Sequence, residues 1–316
     1  MRLIGQVLIQ DHFHHGMMTP SLVYSFIGEY SLYLADKASG TPPLSNEYIT
    51  THMIPMMQDL VTRYEPAVIW SDGDWEQLST YWQSTEFLAW LYTNSTVKDE
   101  VVTNDRWGSE CRGINGGYYT PADEYNPGKL LPHKWENCYT MGWSWGYYDN
   151  QPLLAFQTAT QLLTELVSTV SCGGNMLLNI GPTPEGTIPW IMQERLQEIG
   201  NWLKINGEAI YSSKPWRAQN DTASQVVWYT MNPTTNVVYA ISLYWPTDGV
   251  LTLAQPLSTT STTVNLIGCE PASLCQSLSF QGSTSALGMN IKLPQLTDPT
   301  QYPPSGLYVF ELHNVK

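Results

Sequence analysis

Charged side chains follow two short segments rich in apolar residues. Asp72 and Asp74 come soon after residues 67–70, and Arg106 comes soon after residues 100–104. The next stretch of the chain adds three carboxylates, Asp123, Glu124 and Glu136. Hydrolysis of a glycosidic bond needs two carboxyl groups, one ionised to attack the anomeric carbon and one protonated to assist the leaving oxygen. These residue types therefore suit glycoside hydrolysis, with solvated or structural acids as the alternative.

The elements around these residues alternate between strand and helix. Apolar runs predict short strands, and apolar residues at helical spacing predict the helices between them. The predicted strands are 22–26, 67–70, 100–104 and 176–180; the predicted helices are centred on 49–64, 87–92, 162–170 and 191–203, and a long loop occupies 105–150. This order is typical of a (β/α)₈ barrel, in which catalytic residues lie where strands end.

The pattern changes after about residue 212. Short apolar runs between Pro, Thr, Ser and Gly turns predict strands with no helix between them, at 226–229, 237–241, 250–253 and 307–310. Such spacing is typical of an antiparallel β-sandwich. We therefore predict an α/β fold, a partial (β/α)₈ barrel over 21–212 followed by a C-terminal sandwich over 213–316, with an unmatched segment at 1–20.

Composition excludes some partners and leaves others open. Charged residues make up only 13% of the chain, and the formal net charge is -14. Such a surface repels a phosphate backbone and an anionic membrane, so we expect no nucleic-acid partner and no binding to anionic membranes. No apolar run in the sequence is nearly as long as a membrane-spanning helix, which needs about 20 residues. The 13 Trp and 19 Tyr residues suit sugar stacking or, equally, a hydrophobic core.

Residues near the N-terminus carry no targeting or metal-binding pattern that we recognise. The apolar run within residues 1–10 is short and broken by Gly and Gln, so we predict no signal peptide. His12, His14 and His15 have no evident second half of a metal site, so we interpret them as an exposed polar tract and expect no metal.

Five cysteines are an odd number, so not all of them can pair within the chain. Cys269 and Cys275 are near in sequence and are candidates for a disulfide, with buried thiols as the alternative.

Several segments, in the same order, resemble the α-L-fucosidases of glycoside hydrolase family 29. The motifs are most similar in sequence to those of the animal tissue and plasma enzymes, and the resemblance covers about residues 22–316. It is strongest over 64–217, in segments 64–76 (which holds Trp70-Ser71-Asp72-Gly73), 102–108 (which holds Asn104-Asp105-Arg106-Trp107), 134–138, 144–147, 173–182 and 202–211. Several long motifs in one order are far more specific than any single motif.

The resemblance implies roles for individual residues. Asp72 stands at the position of the family's nucleophile, and Asp123 is the best match to the acid/base. Glu124 remains a candidate for the acid/base, because this loop varies in length and sequence across the family. The resemblance to the animal members also makes Glu136 a candidate, ranked behind Asp123, with a supporting role next to the site as the alternative. Arg106 resembles the family's fucose-binding arginine, since a guanidinium fork suits sugar hydroxyls.

Other signature residues are expected to line or support the pocket. The resemblance implies that Trp70, Trp107 and Trp145 form pocket walls. Cys138 belongs to the same signature, and a thiol has no evident task in this mechanism, so we predict a structural role for it.

The function that the resemblance implies is a retaining α-L-fucosidase. Such an enzyme removes terminal fucose from glycoprotein or glycolipid glycans through a covalent glycosyl-enzyme, and it needs no cofactor. The family implies a lysosomal or extracellular location for the full-length protein, and a homo-oligomer is an open possibility. Only four or five barrel strands can be counted, which predicts that earlier strands are absent. Two alternatives follow: a catalytically inactive truncated product, and a glycosidase for another sugar.

Overall fold

The computed structural model describes residues 21–25, 30–41, 43–223, 226–303 and 306–316. The predicted segment 1–20 lies outside the described residues, and with it lie the histidine tract and the signal-peptide prediction. Contacts divide the chain into two compact units. The first contains the described residues up to Tyr125 together with His133–Glu136, and the second contains Asn126–Pro132 together with Asn137–Lys316. The domain limits at residues 20 and 212 stay a prediction.

The first unit alternates strands and helices around a parallel sheet. Its elements are β1 (Ser21–Ser25), α1 (Tyr30–Ala38), a π-helical turn (Ile49–Met53) that continues into α2 (Ile54–Tyr64), β2 (Val68–Asp72), the short α3 (Ser79–Trp82), α4 (Ser84–Thr93) and β3 (Val102–Thr103). The sheet has the order β1-β2-β3, and both strand pairs are parallel. Parallel neighbours end at one edge of a sheet, so the segments that follow β2 and β3 lie side by side.

The chain around β2 follows directly from its sequence. Helix α2 buries Met57 and Val61, which are one turn apart. The helix ends at Glu65, whose φ of 45° is left-handed, and Pro66 cannot continue the helical hydrogen-bond pattern. The first four residues of β2 are buried, as expected for a strand covered on both faces.

Strand β4 (Trp135–Thr140) begins in the first unit and continues into the second. It lies within the segment that we predicted as a loop, so the loop prediction for 105–150 was wrong there. The strand is buried although its sequence holds Glu136 and Asn137, and polar residues hide the apolar pattern on which a strand prediction depends. Asn137 is accommodated because its amide donates to Glu165 Oε1 at 2.7 Å and to Thr169 Oγ1 at 3.1 Å.

The second unit continues with α5 (Ala159–Ser171), β5 (Gly174–Asn179) and α6 (Trp190–Asn206). Strand β5 pairs with β4. Helix α5 begins with a capping box, in which Thr158 Oγ1 accepts from the Gln161 N–H and Gln161 Oε1 accepts from the Thr158 N–H. These elements agree with the helices and the strand predicted for this part of the chain.

The remaining strands of the second unit form two antiparallel sheets. They are β6 (Lys214–Asn220), β7 (Val227–Met231), β8 (Val238–Ser242), β9 (Val250–Leu253), β10 (Thr263–Leu266), β11 (Phe280–Gly282), β12 (Met289–Lys292) and β13 (Tyr308–His313). One sheet has the order β10-β13-β8-β7-β6 and the other the order β11-β12-β9. A core that includes Val238, Leu251 and Ile291 joins the two sheets, so the predicted sandwich is confirmed.

The larger sheet is covered on both faces. Val238 and Ala240 of β8 point into the sandwich core, whereas Tyr239 and Ile241 pack with Val167 of α5 and with α6. This double coverage explains why β8 is apolar along nearly its whole length. Cys269 and Cys275 form the proposed disulfide. No helix in the described ranges is long and apolar enough to cross a membrane.

Candidate active site

The ends of β2 and β3 are held together by one amide side chain. Asn104 Nδ2 donates to the Ser71 carbonyl at 2.8 Å, and Asn104 Oδ1 accepts from the Ser71 N–H at 3.1 Å. Ser71 Oγ also donates to the Arg106 carbonyl at 2.6 Å. Because Ser71 precedes Asp72 and Asn104 lies two residues before Arg106, these bonds fix the backbone of both charged residues.

Arg106 joins two carboxylates with one guanidinium group. Nη1 donates to Asp72 Oδ1 at 3.0 Å, and Nη2 donates to Asp123 Oδ1 at 2.5 Å. Nε donates to the Thr120 carbonyl at 3.2 Å and to its hydroxyl at 3.1 Å. The arginine side chain is 2% exposed, whereas those of Asp72 and Asp123 are 32% and 47% exposed. A buried cation therefore presents two accessible carboxyl groups side by side.

Trp70 links Arg106 to a third carboxyl group. The Arg106 guanidinium lies 4.5 Å from the centroid of the Trp70 ring, within cation–π distance. The indole Nε1 of Trp70 donates to Glu136 Oε1 at 2.7 Å. Glu136 is only 1% exposed. A parallel β-bridge between Tyr119 and Trp135 positions the backbone of Glu136, whose N–H donates to the Tyr119 carbonyl at 2.9 Å.

A second arginine stands on the other side of Asp72. Arg112 donates to both oxygens of the fully buried Asp74, at 3.1 and 2.6 Å, and its Nη2 lies 3.9 Å from Asp72 Oδ1. Gly73, between the two aspartates, has a φ of 83°, which a residue with a Cβ adopts only with strain. This turn directs Asp72 toward Arg106 and Asp74 toward Arg112.

The loop that carries Asp123 is anchored by Asp105. One oxygen of Asp105 accepts from the N–H and the hydroxyl of Thr120, both at 2.8 Å, and the other accepts from the Gly113 N–H at 2.7 Å. Gly116 lies so near that a Cβ there would come within 2.8 Å of the Asp105 side chain. The loop is thus tied to the end of β3 before it reaches Asp123.

Burial and charge shift two of the site's pKa values in the same direction. Burial raises the pKa of Asp72, and the negative charge of Asp123 adds to this effect, while Arg106 opposes it. Complete burial raises the pKa of Glu136 from its ordinary value of 4.5 to about 7, against the opposing effects of the Trp70 hydrogen bond and of Arg106. Perturbed carboxyl groups beside a cation are typical of active sites.

Four further residues were predicted for the site: Trp107, Glu124, Trp145 and Cys138. Trp107 is buried in the core of the first unit, where it stacks on Phe87 with ring centroids 5.6 Å apart. Glu124 is exposed and follows Asp123 with a φ of 53°. Trp145 and Cys138 belong to the second unit, where Trp145 is 38% exposed and Cys138 is buried. Their predicted roles stay predictions.

Asn104, Arg112 and Thr120 are among the residues of the cluster that had no predicted role. Asn104 belongs to the quoted motif, but an amide that clamps a neighbouring strand resembles any other loop Asn in a sequence. The spacing between Asp74 and Arg112 gives no signal, because the intervening chain folds back through α3 and α4. Their proximity to the site is therefore visible only in the three-dimensional structure.

Two family models match most of the chain. Residues 8–208 match the family described as Alpha-L-fucosidase, and residues 219–313 match the family described as Alpha-L-fucosidase C-terminal domain. The chain therefore belongs to the alpha-L-fucosidase family.

Individual relatives come from distant organisms. The chain is 50% identical over 285 residues to an alpha-L-fucosidase of Dictyostelium discoideum, and 45% identical over 289 residues to human tissue alpha-L-fucosidase. These alignments cover 90% and 91% of this chain but only 61% and 59% of the relatives, so the chain spans about three fifths of their length.

Solved structures give the same result for the fold. The chain is similar to an alpha-L-fucosidase structure with a TM-score of 0.68 at 29% identity, covering 86% of this chain and 57% of that one. It is also similar to the Thermotoga maritima alpha-fucosidase in complex with fucose, with a TM-score of 0.64 at 27% identity, covering 85% and 57%. The predicted fold class, barrel-type βα units followed by an antiparallel sandwich, is confirmed.

Proposed function

We propose that the chain is the catalytic part of a retaining α-L-fucosidase that removes terminal α-L-fucose from glycoprotein or glycolipid glycans. The observation that carries the proposal is the Arg106 fork, which binds Asp72 and Asp123 at 3.0 and 2.5 Å. Two carboxyl groups on adjacent nitrogens of one guanidinium are close neighbours. Retaining glycosidases place theirs about 5–5.5 Å apart, because one of the two must reach the anomeric carbon itself.

In this mechanism Asp72 attacks the anomeric carbon while the bond to the leaving oxygen breaks. Asp123 gives its proton to that oxygen, and a fucosyl ester of Asp72 forms. Asp123 then removes a proton from water, which attacks the anomeric carbon, breaks its bond to the Asp72 carboxylate and releases fucose and free Asp72. The anomeric configuration is inverted twice and so retained.

Asp123 fits the acid/base role better than the other two candidates. The acid must reach a substrate oxygen, and the Asp123 side chain is 47% exposed beside Asp72. Glu136 has a pKa of about 7, which would suit an acid/base, but its carboxyl group is buried and accepts the Trp70 indole N–H. Glu124 is exposed, and within the described part of the chain the ion pairs of Arg106 go to Asp72 and Asp123.

Glu136 acts through Trp70 in this proposal. The hydrogen bond orients the indole ring, and the ring supports the guanidinium that holds both catalytic carboxylates. Arg106 would also bind fucose hydroxyls, for which its planar fork is suited. Trp70 and Trp145 remain proposed contacts for the sugar.

The names of the relatives support a location. Relatives called tissue and plasma alpha-L-fucosidase suggest that the full-length protein acts in a lysosome or outside the cell.

The test is hydrolysis of 4-nitrophenyl α-L-fucoside by the purified chain, beside a panel of other 4-nitrophenyl glycosides. We expect nitrophenol release from the fucoside alone, and no release in the matched Asp72→Asn variant. A folded chain that releases none, or that prefers another glycoside, contradicts the proposal.

A further inference from the structure

A groove of about 920 Å³ crosses part of the C-terminal sandwich. It is lined by the loop at Trp245–Gly249, by outward-facing residues of β11 and β12, and by Tyr302. Its volume lies within the roughly 300–1,000 Å³ of small-ligand sites. All of its lining residues belong to the second unit, and none belongs to the catalytic cluster of the first.

Aromatic rings form one end of the groove. Trp245 packs edge-on against Tyr302, with ring centroids 5.3 Å apart, and against Tyr308 at 5.0 Å. Trp245 is half-buried and Tyr302 is 37% exposed. Both therefore combine a fixed ring with an accessible surface, which suits an amphipathic ligand.

Polar side chains form the floor of the groove. Gln281 of β11 stands directly opposite Asn290 of β12, and Lys292 follows on the same face. Side chains paired in this way are about 5 Å apart. Among the residues that the structure describes, the side chains of Gln281, Asn290 and Lys292 form no hydrogen bond within the protein. All three are exposed, so their donors and acceptors are available to a ligand.

We propose that this groove binds a neutral oligosaccharide at a site separate from catalysis. Rings accept the C–H faces of a sugar, and two side-chain amides can each donate to and accept from hydroxyl groups. One carboxylate, Asp248, and one ammonium, Lys292, leave the groove without a charge preference, which argues against a phosphate or a sulfated chain. The occupant is therefore a segment of uncharged glycan.

The proposal deepens the proposed function without depending on turnover, since binding is measured on the whole chain in a variant that lacks Asp72. If the chain is a fucosidase, the groove would hold a fucose-free segment of a neutral glycan. If the chain proves to be inactive, the groove can still be tested by itself.

The experiment titrates the whole chain, carrying Asp72→Asn, with three fucose-free probes: an N-acetyllactosamine tetrasaccharide, chitotetraose and a mannopentaose. Binding is followed by calorimetry and saturation-transfer NMR. Free L-fucose is present at 50 mM, a concentration that fills the proposed active site if fucose binds there with roughly millimolar affinity or better. The groove variants are Gln281→Ala with Asn290→Ala, and Tyr302→Ala. The matched control is Gln276→Ala with Thr284→Ala, two exposed polar side chains outside the groove.

We expect at least one probe to bind saturably. Its affinity should be at least tenfold lower in each groove variant and unchanged in the control variant. Hydrolysis of the 4-nitrophenyl fucoside by the groove variants, made without Asp72→Asn, should equal that of the unmodified chain. Three results would overturn the proposal: no saturable binding by any probe, binding unaltered in both groove variants, or binding that is seen only when L-fucose is left out. A heparin tetrasaccharide that binds more tightly than every neutral probe would also overturn it.

Discussion

The cluster at the ends of β2 and β3 and the core of the sandwich are both buried, but their contents differ. The cluster buries Ser71, Asn104, Asp105, Arg106 and Glu136, each at most 2% exposed. The sandwich core consists mainly of aliphatic and aromatic residues such as Val264, Ile291 and Phe310. Burial of charged groups costs free energy that ion pairing repays only in part. Changes in the cluster should therefore alter rate more than stability, and changes in the core should do the reverse.

The main buried acid of the sandwich shows what a structural carboxylate looks like. Asp221 accepts from the Tyr229 hydroxyl at 2.5 Å and from the N–H groups of Ala223 and Ala254 at 2.8 and 2.9 Å. Its oxygens are saturated by neutral donors. Asp72 and Asp123, by contrast, share one cation and keep partly exposed side chains. The difference separates a structural acid from a pair available for chemistry.

The largest effect among these variants is expected for Asp123→Asn. An amide cannot protonate a leaving oxygen, so natural glycans should lose about 10²–10⁴ in kcat/KM. Aryl fucosides with good leaving groups should lose far less. The measurement is kcat/KM across a series of aryl fucosides of increasing phenol pKa. A steep dependence in Glu136→Gln with none in Asp123→Asn would reverse the two roles.

Arg106→Lys should lower kcat/KM about a hundredfold, or about 2.7 kcal/mol. The substitution keeps the charge but loses the fork that binds both carboxylates. Arg112→Lys is the matched control and should lose less, because Arg112 lies 3.9 Å from Asp72.

The pH profile of kcat/KM for Arg106→Met tests how Arg106 affects the pKa of Asp72. Arg106 opposes the burial effect that raises the pKa of Asp72. Without Arg106, Asp72 as the proposed nucleophile keeps its proton to higher pH, so the acidic limb of kcat/KM should move upward. An unmoved limb would separate Arg106 from the ionisation of Asp72.

Glu136→Gln should change how stability depends on pH. Because burial raises the pKa of Glu136 to about 7, the folded chain binds this proton more tightly than the unfolded chain. The stability contributed by this proton is complete below about pH 4.5 and is lost as the pH rises through about 7, an effect of a few kcal/mol at most. Urea unfolding at pH 4.5, 6 and 8 should show a smaller decline in the variant. Exposed Glu124→Gln should decline like the unmodified chain.

The smallest effect is expected in the sandwich core. Ile291→Val removes one methylene group from a fully buried side chain and should cost about 0.5–1.5 kcal/mol of unfolding free energy. The kcat on 4-nitrophenyl fucoside should stay unchanged, since Ile291 is part of the sandwich core and has no proposed catalytic role. Lost turnover with unaltered stability would erase the contrast between the two regions.

Elements with a clear apolar period could be predicted from the sequence. Strand β2, helix α5 and strand β9 lie where their patterns place them, and Pro66 marks the end of α2. Strand β4 could not be predicted, because Glu136 and Asn137 are buried through partners 66 and 28 residues away. A local pattern holds no information about such distant partners.

The residues of the candidate site also include some whose positions could be predicted from the sequence and some whose contacts could not. The positions of Asp72 and Arg106 at the strand ends could be predicted, because Asp72 is the last residue of β2, Arg106 follows β3, and each lies within a recognisable motif. The role of Trp70 as a bridge between Arg106 and Glu136 was not predictable, because it depends on ring orientation. Arg112 was missed because its partner, Asp74, is 38 residues away.

Azide trapping tests the central claim that Asp72 is the nucleophile and Asp123 the acid/base. Asp72→Gly and Asp123→Gly variants of the chain are incubated with 4-nitrophenyl α-L-fucoside and sodium azide, and the fucosyl azide is analysed by NMR. Azide in place of Asp72 attacks the substrate directly, so we predict the β-azide and at least about a thousandfold loss of turnover without azide. Azide attack on the ester formed in Asp123→Gly should give the α-azide. Folded variants that yield no azide, or that yield the two anomers the other way round, would contradict the assignment.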